Sequence, residues 1–272
     1  MYINRNILRL VGLGLLCSGT ILQAETMAIL KNPVLEITRI QNAIIIDGDL
    51  TDLEWGQARG TDYFLEIDPG DNLKPLEKTE VKVAYDDQNL YVAFWAFADP
   101  KDIRASYQNR DRAWGDDFVA IFLDTYGDAN AGTMIGSNPY GIQMDAKNNG
   151  GGNDDPSFDL VYDSKGRITD DGYQVEMAIP FSSLSFPDKN VQEWKIGFYR
   201  SLPREKRSQI IWGGLDRTNP CFLCQLGTLI GIQGITQRGS FEFLPAIVGS
   251  QVSELDQNNT LQKGTALGEA SL

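Results

Sequence analysis

Two strand-like runs joined by a four-residue spacer constrain this chain more than any other feature. Glu80 to Tyr85 and Leu90 to Ala98 flank Asp86-Asp87-Gln88-Asn89. Short acidic and amide residues between two apolar runs are a hairpin signal. In the first run Val81, Val83 and Tyr85 fall on one face, because side chains alternate along a strand. In the second, Tyr91, Val92, Phe94, Trp95 and Phe97 put apolar groups on both faces. That pattern predicts a central strand covered on two sides, with Trp95 in the core.

The rest of the chain repeats the theme. Further strand-like runs are Ala43 to Ile46, Phe118 to Leu123, the stretch around Met144, Phe158 to Tyr162, and Tyr173 to Ile179. Ile196 to Tyr199, Ile210 to Trp212 and Leu226 to Ile232 add three more. Asn148 to Asn153 (NNGGGN) reads as a loop tip. Pro180 should stop a strand before a helical turn at Ser182-Ser183-Leu184. Leu50 to Ala58 is read as a short helix with Asp49 as its N-cap. No segment shows sustained helical periodicity, so the expected fold class is all-β, a sandwich of roughly ten or more strands.

Composition narrows the chemistry. The 272 residues contain no histidine, which removes Ser-His-Asp and Cys-His catalysis and His-ligated zinc. The formal charge of −13 is the opposite of a nucleic-acid footprint, so no nucleic-acid partner is expected. Arg5 and Arg9, then Leu10 to Leu16, then Leu22-Gln23-Ala24 have the order of a signal peptide cleaved after Ala24. Cys17 after LGLL gives a lipoprotein alternative, although Leu16 stands where a small residue is expected. After cleavage Cys221 and Cys224 remain. Two cysteines in an exported chain are expected to pair. With no histidine and no second pair, a redox or zinc role for this CxxC is the weaker reading.

The stretch RDRAWGDDFVAIFLDTYGD, Arg110 to Asp128, asks what a Trp and two adjacent acids are for. Here a resemblance enters. Ile46-Asp47-Gly48-Asp49-Leu50 with Glu54-Trp55, Val83 to Val92, Trp114 to Asp124, Asn138-Pro139-Tyr140-Gly141 and Gly172 to Pro180 follow one another. Taken in order they resemble the family 9 carbohydrate-binding module, over roughly residues 34 to 235. Gln237 to Pro245 (QRGSFEFLP) resembles the junction into an outer-membrane β-barrel that follows such a module in some bacterial proteins of unknown function. The residues beyond are too few for a barrel, which takes at least eight strands of about ten residues. The expected organisation is a signal peptide at 1–24, a linker at 25–33, the sandwich at 34–235 and a barrel-like tail at 236–272.

The resemblance implies a sugar ring stacked on Trp114. A pyranose face carries C–H groups that pack on a flat aromatic ring, and its hydroxyls need nearby polar partners. The family's hydrogen-bonding Glu falls on Ala120 and its Arg near Gly136, while the second clamping Trp falls near Pro220 to Phe222. Candidate ligand residues are therefore Trp114, Asp116, Asp117, Asn138 and Phe222. The competing reading makes Trp114 a closing aromatic, and Asp116 and Asp117 acceptors of backbone N–H groups or partners of Arg110 or Arg112. No cofactor is required. Calcium is the alternative for the acids, since it takes six to eight oxygens. Asp124, Asp128 and Asn130 are its first candidates, with Asp116, Asp145, Asp154 and Asp155 as further donors if the loops converge.

Three functions follow from the residues and the resemblance. One is an exported glycan-binding module of the periplasm or outer membrane, tied to polysaccharide catabolism. Another is a docking domain for an outer-membrane barrel. The third is a glycosidase with paired carboxylates, for which no pair of acids stands out.

Overall fold

The computed structural model describes residues 26–149 and 153–236, and the backbone of 246–252 and 265–271. The signal-like segment and the Gln237–Pro245 junction lie outside the described residues. In chain order the strands are β1 (Val34–Glu36), β2 (Thr38–Arg39), β3 (Arg59–Thr61), β4 (Phe64–Asp68), β5 (Thr79–Tyr85) and β6 (Asn89–Phe97). Next come β7 (Phe118–Asp124), β8 (Ala131–Ser137), β9 (Gln143–Asn149), β10 (Asn153–Asp155), β11 (Asp163–Thr169) and β12 (Gly172–Pro180). The last are β13 (Val191–Pro203), β14 (Arg207–Trp212), β15 (Gly227–Gln233), β16 (Ala246–Val252) and β17 (Thr265–Ser271). One α-helix, α1 (Leu53–Gln57), precedes β3.

These strands form two main sheets. The first has nine strands in the order β1-β15-β13-β7-β8-β9-β10, with β14 and β4 branching from β13. The second has six, β11-β12-β6-β5-β2, with β3 on β5. Alternation explains the core between them. Val119, Ile121 and Leu123 of β7 face Val83, Val92, Phe94, Val175 and Met177 of the second sheet across one continuous apolar cluster. Each fully buried side chain of this kind contributes about 1.5–3 kcal/mol.

The outer face of the six-stranded sheet is covered by the chain's own residues 40–58. Ile40, Ile44, Leu50 and Trp55 pack on Ala84, Tyr91, Ala93 and Ala178. The strand side contributes three alanines, leaving room for the indole. A single carboxylate pins this cover. Glu176 on β12 is fully buried. Its Oε1 accepts Trp55 Nε1–H at 2.8 Å, and its Oε2 accepts the backbone N–H groups of Gly48 at 2.8 Å and Asp47 at 3.1 Å. Gly48 sits at φ 87°, a region only glycine enters without strain. The Ile46-to-Leu50 turn and the Glu54-Trp55 pair thus meet at one acid.

The predicted hairpin is present as β5–β6, and β6 lies centrally between β5 and β12. Some strand and core expectations are corrected. Trp95 lies on the outer side, half-buried, with Lys82 Nζ 5.6 Å from its ring centroid. Ala43 to Ile46 is not a strand; it belongs to the cover. Asp52, not Asp49, precedes α1, and Asp49 pairs with Arg167 instead. Phe158 to Tyr162 is irregular, although Leu160 and Tyr162 are buried. Side chains replace a ladder there: Leu160 N–H donates to Asp145 Oδ2, and the carbonyls of Leu160 and Tyr162 accept from Arg110 and Gln143. Within 236–272 the backbone forms a hairpin, β16–β17, in register from Ala246↔Ser271 to Val252↔Thr265. The middle of NNGGGN, residues 150–152, lies outside the described residues.

Candidate ligand face of the nine-stranded sheet

The side chains that alternate away from the core on β7, β8, β9 and β13 build an apolar outer face. Phe118, Ala120, Met134, Met144 and Ala146 are buried there, with Trp114, Phe122, Ile142 and Tyr199 half-buried around them. The aromatic rings touch in series. Trp114 meets Phe118 edge-on at 5.9 Å between centroids, and Phe118 meets Tyr199 at 5.8 Å. Tyr199 meets Phe122 at 5.8 Å, and Phe122 meets Phe222 edge-on at 4.7 Å. Separations of this size are those of favourable aromatic pairs. Tyr199 Oη donates to Gln209 Oε1 at 2.7 Å. Burial pushes its pKa up to about 12, so the hydroxyl stays protonated near neutrality.

Ala120 and Gly136 are direct cross-strand partners at the centre of this face. A Cβ at Gly136 would lie 2.9 Å from the Val119 carbonyl and 3.0 Å from Ala120 Cβ. The positions where the resemblance puts a Glu and an Arg are therefore adjacent and closely packed by small residues.

The loop 104–117 delivers Trp114 to the face, and its two acids fasten it. Asp116 Oδ2 accepts Ser106 N–H at 2.9 Å, Ser106 Oγ–H at 2.8 Å and Asn138 Nδ2–H at 2.9 Å. Asn138 is fully buried. Its Nδ2 also donates to the Ser106 carbonyl, and its Oδ1 accepts the N–H groups of Tyr140 and Ile142. Asp117, also fully buried, has Oδ2 accepting Arg104 N–H at 2.9 Å and Arg204 Nη1–H at 2.9 Å. The answer to the sequence's question is local. Trp114 lies on the face, and Asp116, Asp117 and Asn138 point into the network that holds its loop.

Two ion-pair clusters secure the same end. Arg204 also binds both oxygens of Glu77, whose Oε2 meets the fully buried Arg200 at 3.1 Å. Burial opposes the Arg204 charge, but Asp117 and Glu77 outweigh it and raise its pKa. Arg110 pairs with the buried Asp145, with Asp159 at 3.1 Å and, more loosely, with Asp111 at 3.6 Å. Asp111, Asp145 and Asp159 lie close enough together to ligate an ion, but the Arg110 guanidinium already supplies the positive charge among them.

The calcium candidates lie elsewhere. Asp124 accepts the N–H groups of Tyr126 and Gly127 on Oδ1 and of Ala129 on Oδ2. Asp128 accepts the backbone and side-chain N–H groups of Asn130. Asp154 accepts Asn148 Nδ2–H, and Asp155 caps Ser157. Asp124, Asp128 and Asn130 share the β7–β8 turn, while Asp154 and Asp155 belong to β10. Cys221 and Cys224 form a disulfide, and Phe222 between them sits on Phe122. Sequence reading missed Phe118, Phe122 and Tyr199 as face residues. The alternation in FVAIFLD was the available signal, since it sets Phe118 and Phe122 opposite the core set.

Two packed sheets, one self-covered and one bearing an aromatic series, define a β-sandwich of the binding-module class. The chain belongs to the carbohydrate family 9 binding domain-like family, whose model matches residues 46–208. Among solved structures it is similar to a candidate carbohydrate-binding protein of Bacteroides uniformis ATCC 8492, at TM-score 0.58 and 14% identity over 73% of this chain and 98% of that one. It is also similar to a family 9 carbohydrate-binding module of Caldicellulosiruptor kristjanssonii solved with cellotriose, at TM-score 0.48 and 17% identity over 78% and 98%. The glucose complex of that organism's module gives TM-score 0.49 with the same identity and coverage. No curated protein matches the sequence.

Proposed function

We propose that this protein is an exported, non-catalytic carbohydrate-binding module that holds a glycan on the outer face of its nine-stranded sheet. Family membership supports the class. The observation that carries the placement is the unbroken aromatic series from Trp114 to Phe222. Trp114 begins it, is half-buried, and rides on a loop fastened at Asp116 and Asp117, so stacking costs little ordering. The acids nearest the face are occupied by backbone N–H groups, Asn138 and arginines, which favours binding without bond cleavage. The signal-like N-terminus and the disulfide support export to the periplasm or outer membrane, with a role in polysaccharide catabolism.

A glycan-array screen of the chain from Glu25 onward, run beside Trp114→Ala, tests this. The expected result is binding to a defined glycan that weakens about tenfold or more in the variant, which corresponds to about 1.4 kcal/mol. A folded protein that binds no glycan, or a variant that binds as well as the parent, sinks the reading. The docking alternative beside an outer-membrane barrel rests on Ala120 and Gly136, small where the resemblance places polar residues, and on the QRGSFEFLP stretch. Loss of the glycan result would favour it.

A further inference from the structure

Tyr107 is unusual on this molecule. Its ring stacks on Tyr140 with centroids 4.3 Å apart and planes within 1°, yet Tyr107 is 80% exposed. Its backbone is not loose. The neighbouring Ser106 donates N–H and Oγ–H to Asp116, and the Ser106 carbonyl accepts from Asn138. An aromatic ring held rigidly and presented to solvent is a ready binding anchor, because its ordering cost is already met by folding.

The charge around it is equally uneven. The protein carries −13 overall, but Ile103 to Ala113 (IRASYQNRDRA) holds three arginines and one aspartate. Arg110 is spent on Asp145 and Asp159. Asp117 is matched by Arg204, and Asp116 accepts from Ser106 and Asn138. Arg104 and Arg112 are exposed, and among the described residues neither guanidinium has a hydrogen-bond or ion-pair partner. They stand three positions before and five positions after Tyr107 in the sequence of the loop that carries Trp114. An unpaired guanidinium presents a fork that matches a carboxylate bidentately.

We infer that this loop is a second subsite, and that its ligand is an acidic sugar: a uronate unit whose ring lies on Tyr107 and whose carboxylate is taken by Arg104 or Arg112. The inference rests on the glycan-binding reading above and names the substrate class for it. Gln108 and Asn109 follow Tyr107 in the chain and are exposed, with Gln108 Nε2 donating to Ser106 Oγ at 3.3 Å. The attraction is electrostatic and exposed, so it is screened by salt, whose Debye length is about 10 Å at 0.1 M.

The experiment is calorimetric titration of the chain from Glu25 onward with an oligogalacturonate and with a neutral cello-oligosaccharide of equal length. Wild type, Arg104→Gln/Arg112→Gln, Tyr107→Ala and Trp114→Ala are compared at low and high salt. All four positions are exposed or half-buried, so folding is checked simply by melting temperature. The expected result is at least tenfold tighter binding of the acidic ligand. That preference is lost in the double arginine variant and in high salt, and affinity falls in Tyr107→Ala. Equal affinity for both ligands, or a preference untouched by the arginine variant, overturns the inference. Binding of the neutral ligand alone, dependent on Trp114, overturns it while leaving the broader function standing. No binding of either ligand overturns the inference, and the broader function is then decided by the glycan-array screen.

Discussion

At the scale of residues, the acids that look most like a site do structural work. Asp117 is fully buried, and its Oδ2 satisfies both Arg104 N–H and Arg204 Nη1–H. Removing it leaves the Arg104 N–H unmatched and takes one of two carboxylates from the half-buried Arg204, which keeps Glu77; about 1–3 kcal/mol is the usual scale for an unmatched buried group. Asp117→Ala should therefore lower unfolding free energy by about 1–3 kcal/mol in a denaturant titration, and a loss under about 1 kcal/mol would contradict this network. Arg204 and Glu77 explain why the sequence did not reveal it. They stand 87 and 40 positions from Asp117 by their numbers, and pairing at that distance leaves no local pattern. Trp114 was legible because a family motif surrounds it. Tyr199 and Phe122 were not singled out, since an outward aromatic on a strand looks like a core aromatic until the second sheet is placed.

At the scale of elements, period-two alternation made β5, β6, β7 and β12 readable, and the hairpin spacer fixed their junction. Ala43 to Ile46 and Phe158 to Tyr162 have the same β-branched and aromatic composition but are not strands. What decides them is side-chain bonding to their surroundings, by Asp52 to Ile45 N–H and by Asp145, Arg110 and Gln143 to 160–162. The cover 40–58 depends on Glu176 in the same way. Burial raises the Glu176 pKa above its ordinary 4.5, against the pull of Trp55, Gly48 and Asp47. A folded acid with a raised pKa binds its proton more readily than the unfolded chain does. Its contribution to stability therefore falls as pH rises from about the ordinary value through the raised one, and then stays constant. Glu176→Gln removes that dependence, and its amide leaves at least one of the three donors unmatched, at about 1–3 kcal/mol. The stability gap in favour of wild type should be visible at pH 7 and should widen as pH falls toward 4.5. A gap that narrows on acidification would show that the carboxylate is better charged than neutral in its cavity.

At the scale of the whole molecule, the two outer faces have been treated differently. The six-stranded sheet is sealed by Trp55 and its neighbours, which belong to the same chain. The nine-stranded sheet carries half-buried rings bordered by a loop and a disulfide turn. This asymmetry is what a binding module requires, and it arises within residues 26–236. Those residues hold the continuous core, from Leu35 to Ile235, while β16 and β17 pair with each other as a separate two-stranded sheet. A chain running from Glu25 to Thr236 should accordingly unfold in one cooperative transition, with a melting temperature within about 4 °C of the longer chain. For a chain of this size about 1 kcal/mol corresponds to roughly 2–4 °C. Glycan affinity should be unchanged as well. A larger drop in melting temperature would mean that residues after 236 belong to the sandwich.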